Sequence, residues 1–479
     1  MKSYQVAIVG GGITGAGVFR DLALHGISCV LIDKNDFSSK TSQSSSKMLH
    51  GGIRYLENYD FELVKEALHE KNLWVKLLPH LAKEQPFVLP IYKDSKYPLF
   101  MLKLGLVLYD FLSGFQNSPH KILGKKETEL QRPLLNAKDL RGSGLYYDAL
   151  MDDVKITLEV IYDALKEDST TAMNHTEVCS IERCTDGEYN FDITTHDLIS
   201  DTKESIRVNK VVHCLGPFTD KLLSKWYPNE WSPQLLPSKG SHLWVSKKDF
   251  ELKDPCVINH QDGRVIFFIP HETQVLIGTT EEKCDDDFEN IKISEKEIDY
   301  LISICNYYYP SVNLTREKIQ ASYSGIRPLI KAPGETDQGK TARTHRTFVI
   351  EKNTQVIAGG KYTTFRTMAQ DAVRNICTQL NVPYSKSKTI KPLRQKSTVL
   401  PFEDNKLSKE SLKKILSSEL PRSFEDLIHR RIGVNSTQQW NELFPSTDFL
   451  SFFKENISLI NQFFPINEGQ IDNYFSNHQ

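Results

Sequence analysis

Between residues 42 and 57 the chain reads S-Q-S-S-S-K-M-L-H-G-G-I-R-Y-L-E. His50 is the side-chain type that takes up a proton near neutral pH. Arg54 carries a planar guanidinium that donates two parallel hydrogen bonds to a phosphate. Gly51 and Gly52 let the backbone approach a flat ring closely. Together these residues suit proton transfer on an anionic substrate. The same stretch also suits a glycine turn between surface elements with a solvated arginine, and the segment alone leaves both readings open.

A second constellation lies at the start of the chain. Gly10-x-Gly12-x-x-Gly15 follows the apolar run Tyr4 to Val9 and precedes a helical pattern from Val18 to His25. A second apolar run, Ser28 to Asp33, completes a β-α-β unit of about 30 residues. Gly10 permits a tight turn, Gly12 lets the backbone approach a pyrophosphate, and Gly15 lets helix and strand pack closely. The helix N-terminus offers unpaired N–H groups and partial positive charge to that pyrophosphate. Asp33, ending the second run, is placed to accept hydrogen bonds from ribose hydroxyls. The fingerprint does not separate NAD from FAD.

The elements that must position these residues are spread over 479 residues, which suggests about two to four domains. With 39% hydrophobic and 25% charged residues, the composition is that of a globular protein. A net charge of -2 provides no general field for nucleic acid, so none is expected as a partner, and anion binding must come from local basic groups. The eight cysteines form no C-x-x-C pair, so no metal site is expected. Met1 to Ser3 lead straight into an apolar run without a secretory leader, and Tyr97 to Leu112 falls short of the ~20 residues of a spanning helix. A cytoplasmic protein is expected, with peripheral contact at a membrane face. Leu99 to Leu112 suits either an interfacial helix or a core helix. Ser38 to Ser46 reads as a loop, and Phe61 to Leu81 as an amphipathic helix capped by Asp60. Residues 175 to 213 alternate strands and turns. His242 to Val245 and Val265 to Ile277 suggest a second, antiparallel sheet. Gln355 to Ala358 reads as a strand, Lys361 to Leu380 as a helix, and the chain beyond 390 as lysine- and serine-rich, then helical.

The segment from Ser42 to Glu57 resembles the signature of the FAD-dependent glycerol-3-phosphate dehydrogenases, of the aerobic, quinone-linked type, and their oxidase relatives. Further matches follow in order: Lys239-Gly240-Ser241-His242, Gly278-Thr279-Thr280, Tyr323 to Leu329, and Gly359-Gly360-Lys361-Tyr362-Thr363-Thr364-Phe365-Arg366. Val212 to Pro217 resembles the strand beside the flavin, with Cys214-Leu215 in place of Ala-Thr. Thr341 to Arg346, with Arg343, is an irregular match, and Phe424 to Arg431 a loose one.

The resemblance implies an α/β fold: a doubly wound, Rossmann-like FAD-binding domain (1-80, 145-225, 325-385) interrupted by an antiparallel-sheet substrate cap (81-144, 226-324). A shortened helical C-terminal domain (390-479) follows. It implies bound FAD held by Gly10, Gly12, Gly15, Asp33, Ser42, Ser45, Ser46, Gly51, Gly216, Gly360, Lys361, Thr363 and Thr364. The implied reaction oxidises glycerol 3-phosphate to dihydroxyacetone phosphate by hydride transfer to flavin N5, with ubiquinone or menaquinone as acceptor. Arg54 and Arg327 would clamp the phosphate, His50 would act as base, and Tyr55 would assist in orientation. Lys361 would serve either the flavin or the phosphate, and Thr363 and Thr364 either the flavin or the helix cap. A homodimer and a membrane surface are the expected partners. The rivals are an oxidase using oxygen, an amine- or amino-acid-oxidising flavoprotein, and a catalytically idle flavoprotein subunit.

Overall fold

A computed structural model describes residues 1–184, 187–284, 287–331, 345–394 and 407–477. Arg343 lies outside these residues, as does part of the stretch before residue 419 where the C-terminal domain looks shortened.

The strand Lys2–Val9 forms because Val6 to Val9 are apolar and can be buried on both faces. It lies between two parallel neighbours, Thr202–His213 and Cys29–Ile32. Thr354–Gly359 extends the parallel sheet on one side and Thr170–Met173 on the other. An antiparallel edge strand, His345–Glu351, closes one side. A hairpin of Thr176–Arg183 and Phe191–Asp197 pairs with the first half of Thr202–His213. The helices Ile13–Leu24, Asp153–Ala164 and Phe365–Gln379 pack on this sheet through Phe19, Leu22, Ile156, Val160, Ala369 and Val373.

The second sheet is built on two long antiparallel pairs, Ala82–Tyr92 with Leu140–Met151 and Leu235–Ser246 with Ile319–Ile330. Gln274–Gly278, Val265–Pro270 and Cys256–Asn259 bridge them. One junction, Cys256 beside Val88, is parallel, which the expectation of a purely antiparallel sheet did not include. Leu243, Phe268, Ile277, Leu301 and Tyr309 form its core. Two strands of this sheet run through positions 145 and 325, because each ladder continues unbroken across the expected boundary. Met48–Leu49 pairs with Leu150 and Ala149. The residues just before His50 therefore hang from the second sheet, while Gly10 to Gly15 stand on the first.

Two helices differ from expectation. The first begins at Ile13 rather than Val18. The next spans Phe61–Leu77, without a cap bond from the Asp60 side chain. It ends before Leu81 because Pro79 disfavours helical geometry at Leu78. The C-terminal helices surround Trp440, Phe444, Phe449 and Phe453. No helix among the described residues is long and apolar enough to cross a membrane.

The serine-rich loop is strapped to the strand Ile319–Ile330: Thr41 Oγ1 donates to the Ile326 carbonyl at 2.8 Å and Tyr323 Oη to the Ser45 carbonyl at 2.7 Å. Between these ties a Cβ on Gly325 would sit 2.6 Å from Ser44 Cβ. Gly325→Ala is expected to push the loop away at a cost of about 1–3 kcal/mol, read as a lowered midpoint in denaturant unfolding.

Candidate active site

A cavity of about 1450 Å³ runs between the two sheets. Its nucleotide half is built by the turn after the first strand. Gly10 has φ +109°, and a Cβ there would overlap the Cys214 carbonyl. Gly15 packs so closely on the Gly10 carbonyl that no side chain fits. Gly12 caps the helix Ile13–Leu24 without a side chain, and Ser42 Oγ accepts the Ile13 N–H at 2.9 Å. Asp33 accepts from the amides of Gly11 at 2.6 Å and Asn35 at 2.8 Å while lining the cavity. Burial outweighs these two bonds and pushes its carboxyl up to about 6.

The other half gathers residues far apart in sequence. The turn Ile53–Asn58 presents Arg54 and Tyr55 to the cavity. The His50 amide donates to Thr363 Oγ1 at 3.4 Å. Lys361 Nζ lies 3.7 Å from the centre of the Tyr55 ring, a cation–π contact. Arg327 projects from its strand, and its Nη2 donates to Thr279 Oγ1 at 2.9 Å. His50, Arg54, Tyr55, Arg327 and Lys361 thus share one cavity with Gly216, Gly360 and Thr363.

Four expected cofactor residues have partners of their own within the chain. Ser45 Oγ donates to Asp153 Oδ2 at 2.6 Å, and Ser46 Oγ pairs with His242 Nε2 at 2.9 Å, though both serines line the cavity. Thr364 is buried behind the wall, its hydroxyl donating to the Lys361 carbonyl. Gly51 is walled in by Leu68 and Tyr109, and its amide donates to Asp148 Oδ1 at 3.2 Å.

Of the cavity residues absent from the expected set, two stand beside the expected catalytic groups. His242 is buried, stacks on Tyr323 with ring centres 4.8 Å apart, and lines the cavity. Burial first, then the charges of Arg327 and Lys47, hold its imidazole well below the ordinary range, so it is neutral. Asp148 accepts from Tyr109 Oη at 2.8 Å and backs the His50-Gly51 turn. Burial pushes its carboxyl up to about 6. The signal for His242 was its place in the K-G-S-H stretch; for Asp148 the sequence offered none, because Leu140–Met151 is buried along nearly its whole length and shows no alternation.

Residues 5–364 match the model of the FAD dependent oxidoreductase family. The chain is 33% identical over 390 residues to the aerobic glycerol-3-phosphate dehydrogenase of Staphylococcus haemolyticus, covering 80% of this chain and 68% of that one. It is 34% identical over 387 residues to the enzyme of the same name in Staphylococcus aureus strain MRSA252, with the same coverage. The chain belongs to the FAD-dependent glycerol-3-phosphate dehydrogenase family. Among solved structures, the glycerol-3-phosphate dehydrogenase of Bacillus halodurans complexed with FAD superposes with a TM-score of 0.74 at 24% identity, covering 100% of this chain and 94% of that one. The FAD-bound L-α-glycerophosphate oxidase of Mycoplasma pneumoniae gives 0.58 at 19%, with 78% and 94% covered.

The flavoprotein's own residues fit its cofactor, FAD. Gly10 and Gly15 pack too closely on the chain's own carbonyls for side chains, Gly10, Gly12 and Asp33 line the cavity, and the cavity continues to Lys361 and Thr363, so these residues would hold the dinucleotide and the flavin.

Asp148 and Asp33 keep their protons in the fold up to about pH 6 but release them near 3.8 when unfolded. Across that window these two groups bind more protons folded than unfolded, so their own contribution to stability falls as pH rises. Glu297, held down to about 2, acts oppositely below pH 4.5, and His213, His242 and His271, which burial holds below the ordinary imidazole range, act oppositely up to about pH 6.5. Asp148→Asn is therefore expected to make the unfolding free energy of the FAD-free protein rise more steeply with pH between about pH 4 and 6 than in the unaltered protein, in denaturant titrations at several pH values.

Proposed function

We propose that this flavoprotein oxidises sn-glycerol 3-phosphate to dihydroxyacetone phosphate and passes the electrons to a membrane quinone. The observation that carries this reading is that Arg54 and Arg327, from different parts of the chain, line with Lys361 and His50 the one cavity that begins at the nucleotide turn. Bound FAD supplies the two-electron acceptor for a hydride. Arg54 and Arg327 hold the phosphate, for which their charge and paired donors suit them. Lys361 adds a third cationic group, and Tyr55 beneath it fixes its direction. His50 accepts the proton of the C2 hydroxyl. Asp148 keeps the His50-Gly51 turn in place, and His242, neutral and fixed by Ser46, is a polar wall of the cavity rather than a second base. The full set of basic groups argues against an idle subunit, and because a guanidinium fork also suits a carboxylate, an amino-acid substrate is separated by a substrate panel.

The quinone acceptor is supported by the helix Leu99–Leu112. Leu102, Leu106 and Tyr109 face the core, while Phe100, Leu104 and Phe111 are 66%, 65% and 63% exposed. Met101 and Leu104 also line the cavity, which reaches this apolar face. A face of this kind lies in a bilayer surface and meets a lipophilic acceptor there.

Anaerobic mixing with glycerol 3-phosphate is expected to bleach the flavin absorbance; an unchanged spectrum would refute the substrate. Arg327→Ala is expected to raise the substrate concentration for half-maximal bleaching by ~100-fold or more. His50→Asn is expected to slow bleaching by ~100-fold or more, and a wild-type rate would refute the base assignment. Reoxidation by a quinone analogue with little peroxide under air is expected; stoichiometric peroxide would favour the oxidase. Replacing Phe100, Val107 and Phe111 by serine is expected to weaken sedimentation with phospholipid vesicles while leaving flavin bleaching intact.

A further inference from the structure

Among the described residues the C-terminal helical unit contributes none to the cavity, yet it is tied to the dinucleotide-binding fold by Glu419 with Lys155 and Tyr162, by Arg422 with Asn174 and Asp197, and by Arg430 and Arg431. The last two meet Asp36, three residues past Asp33. Its fully buried carboxylate accepts from Arg431 Nη1 at 2.5 Å and Nη2 at 2.9 Å, from Arg430 Nε at 2.6 Å and from Asn174 Nδ2 at 2.8 Å. Arg430 also donates to Asp426 Oδ1 at 2.6 Å, and Asp426 Oδ2 meets His175 Nε2 at 2.8 Å. Asp36, His175 and Asp426 have the geometry of a metal-ligand group, but two guanidiniums fill the space among them.

The turn that carries Asp36 is the wall of the ribose position. The Ser38 amide donates to the Gly11 carbonyl at 3.0 Å, and the Phe37 ring lies against Gly11. On its other side the amide of His175 donates to the Asn35 carbonyl at 3.0 Å and that of Thr176 to the Asp33 carbonyl at 2.8 Å. The far end of the linkage is rigid as well. Arg431 Nε donates to the Glu419 carbonyl at 2.6 Å, and the Glu419 side chain pairs in the interior with Lys155 on the helix Asp153–Ala164. A buried, fully paired set of charges contributes little net stability, but it fixes geometry, because removing one partner strands another charge.

We infer that the C-terminal unit is a clamp on the adenosine end of the FAD site, with Arg431 and Arg430 as positioning residues that set the Asp33–Ser39 turn through Asp36. Neither arginine touches the cofactor. Their effect reaches it through the placement of Asp33 and of Asn35 and Ser38, which line the cavity. The inference rests on FAD as the cofactor and is independent of substrate and acceptor.

The experiment uses the full chain, stripped of FAD and titrated with FAD, and separately with ADP, which carries only the adenosine end. Arg431→Lys loses the bidentate fork and is expected to weaken both ligands by the same factor, tenfold or more. Hydrogen exchange of the 33–39 amides is expected to quicken in the FAD-free protein. Phe453→Leu, which loosens the C-terminal core away from Asp36, is expected to leave both affinities within twofold. Should Arg431→Lys not fold, the charge-neutral pair Asp36→Asn with Arg431→Gln serves in its place with the same expectation. A folded variant with FAD and ADP affinities within twofold of the unaltered protein would overturn the clamp, as would equal weakening by Phe453→Leu.

Discussion

A single buried carboxylate, Asp153, ties together the segments that make the site. It stands at the start of the helix Asp153–Ala164, immediately after the strand Leu140–Met151 leaves the second sheet. Ser45 Oγ and Lys47 Nζ each donate to its carboxylate at 2.6 Å, and Tyr362 Oη donates to its carbonyl at 2.5 Å. The serine loop that leads to His50 and the turn that carries Lys361 are thereby referred to one point in the interior. A substrate cavity assembled from two sheets needs such a point, since side chains on separately moving elements cannot hold a reacting geometry to within a fraction of an ångström. Charge-assisted bonds in a water-poor interior are strong enough to serve, and the Lys47 ammonium offsets the cost of burying the carboxylate.

What could be read from the sequence were the features that local chain geometry dictates. The Gly10 to Gly15 turn is fixed by sterics within a few residues, and the apolar runs around it leave few alternatives to a parallel sheet. The turns holding His50, Arg54 and Lys361 were visible because reactive side chains beside glycines are unusual. What escaped depended on partners far along the chain. Gly51 looks like a residue that meets a ring, but Leu68 and Tyr109 close over it. Ser45 looks like a cofactor donor, but Asp153, 108 positions away in sequence, accepts its hydrogen bond. His242 and Asp148 sit on strands whose inward face is decided by register, and a shift of one residue would have turned either outward.

The same limit explains the paired arginines near the C-terminus. A run of His429-Arg430-Arg431 on a helix reads as a basic surface when taken alone. Its partner, Asp36, lies 395 residues away from Arg431, in the first β-α-β unit. Once paired, these arginines are among the most deeply buried charges of the molecule. The family model ends at residue 364. The chain beyond it therefore retains a structural link to the nucleotide fold although its sequence matches are the weakest.

The helix Leu99–Leu112 poses the opposite problem, because it is apolar on both faces. A helix that only packs on a sheet carries one apolar stripe and shows polar residues to water. Here Leu102, Leu106 and Tyr109 already satisfy the core, and Phe100, Leu104 and Phe111 remain outside. Each exposed apolar side chain forgoes burial worth about 1.5–3 kcal/mol. Folding of this chain alone cannot recover that energy, since the inward face is already full. In the proposed membrane contact, an apolar surface beyond the chain would recover it, and the cavity that opens next to Met101 and Leu104 would communicate with that surface. The two-sided helix and the reach of the cavity are therefore two aspects of one arrangement, in which charged groups gather at the substrate end and hydrocarbon at the other.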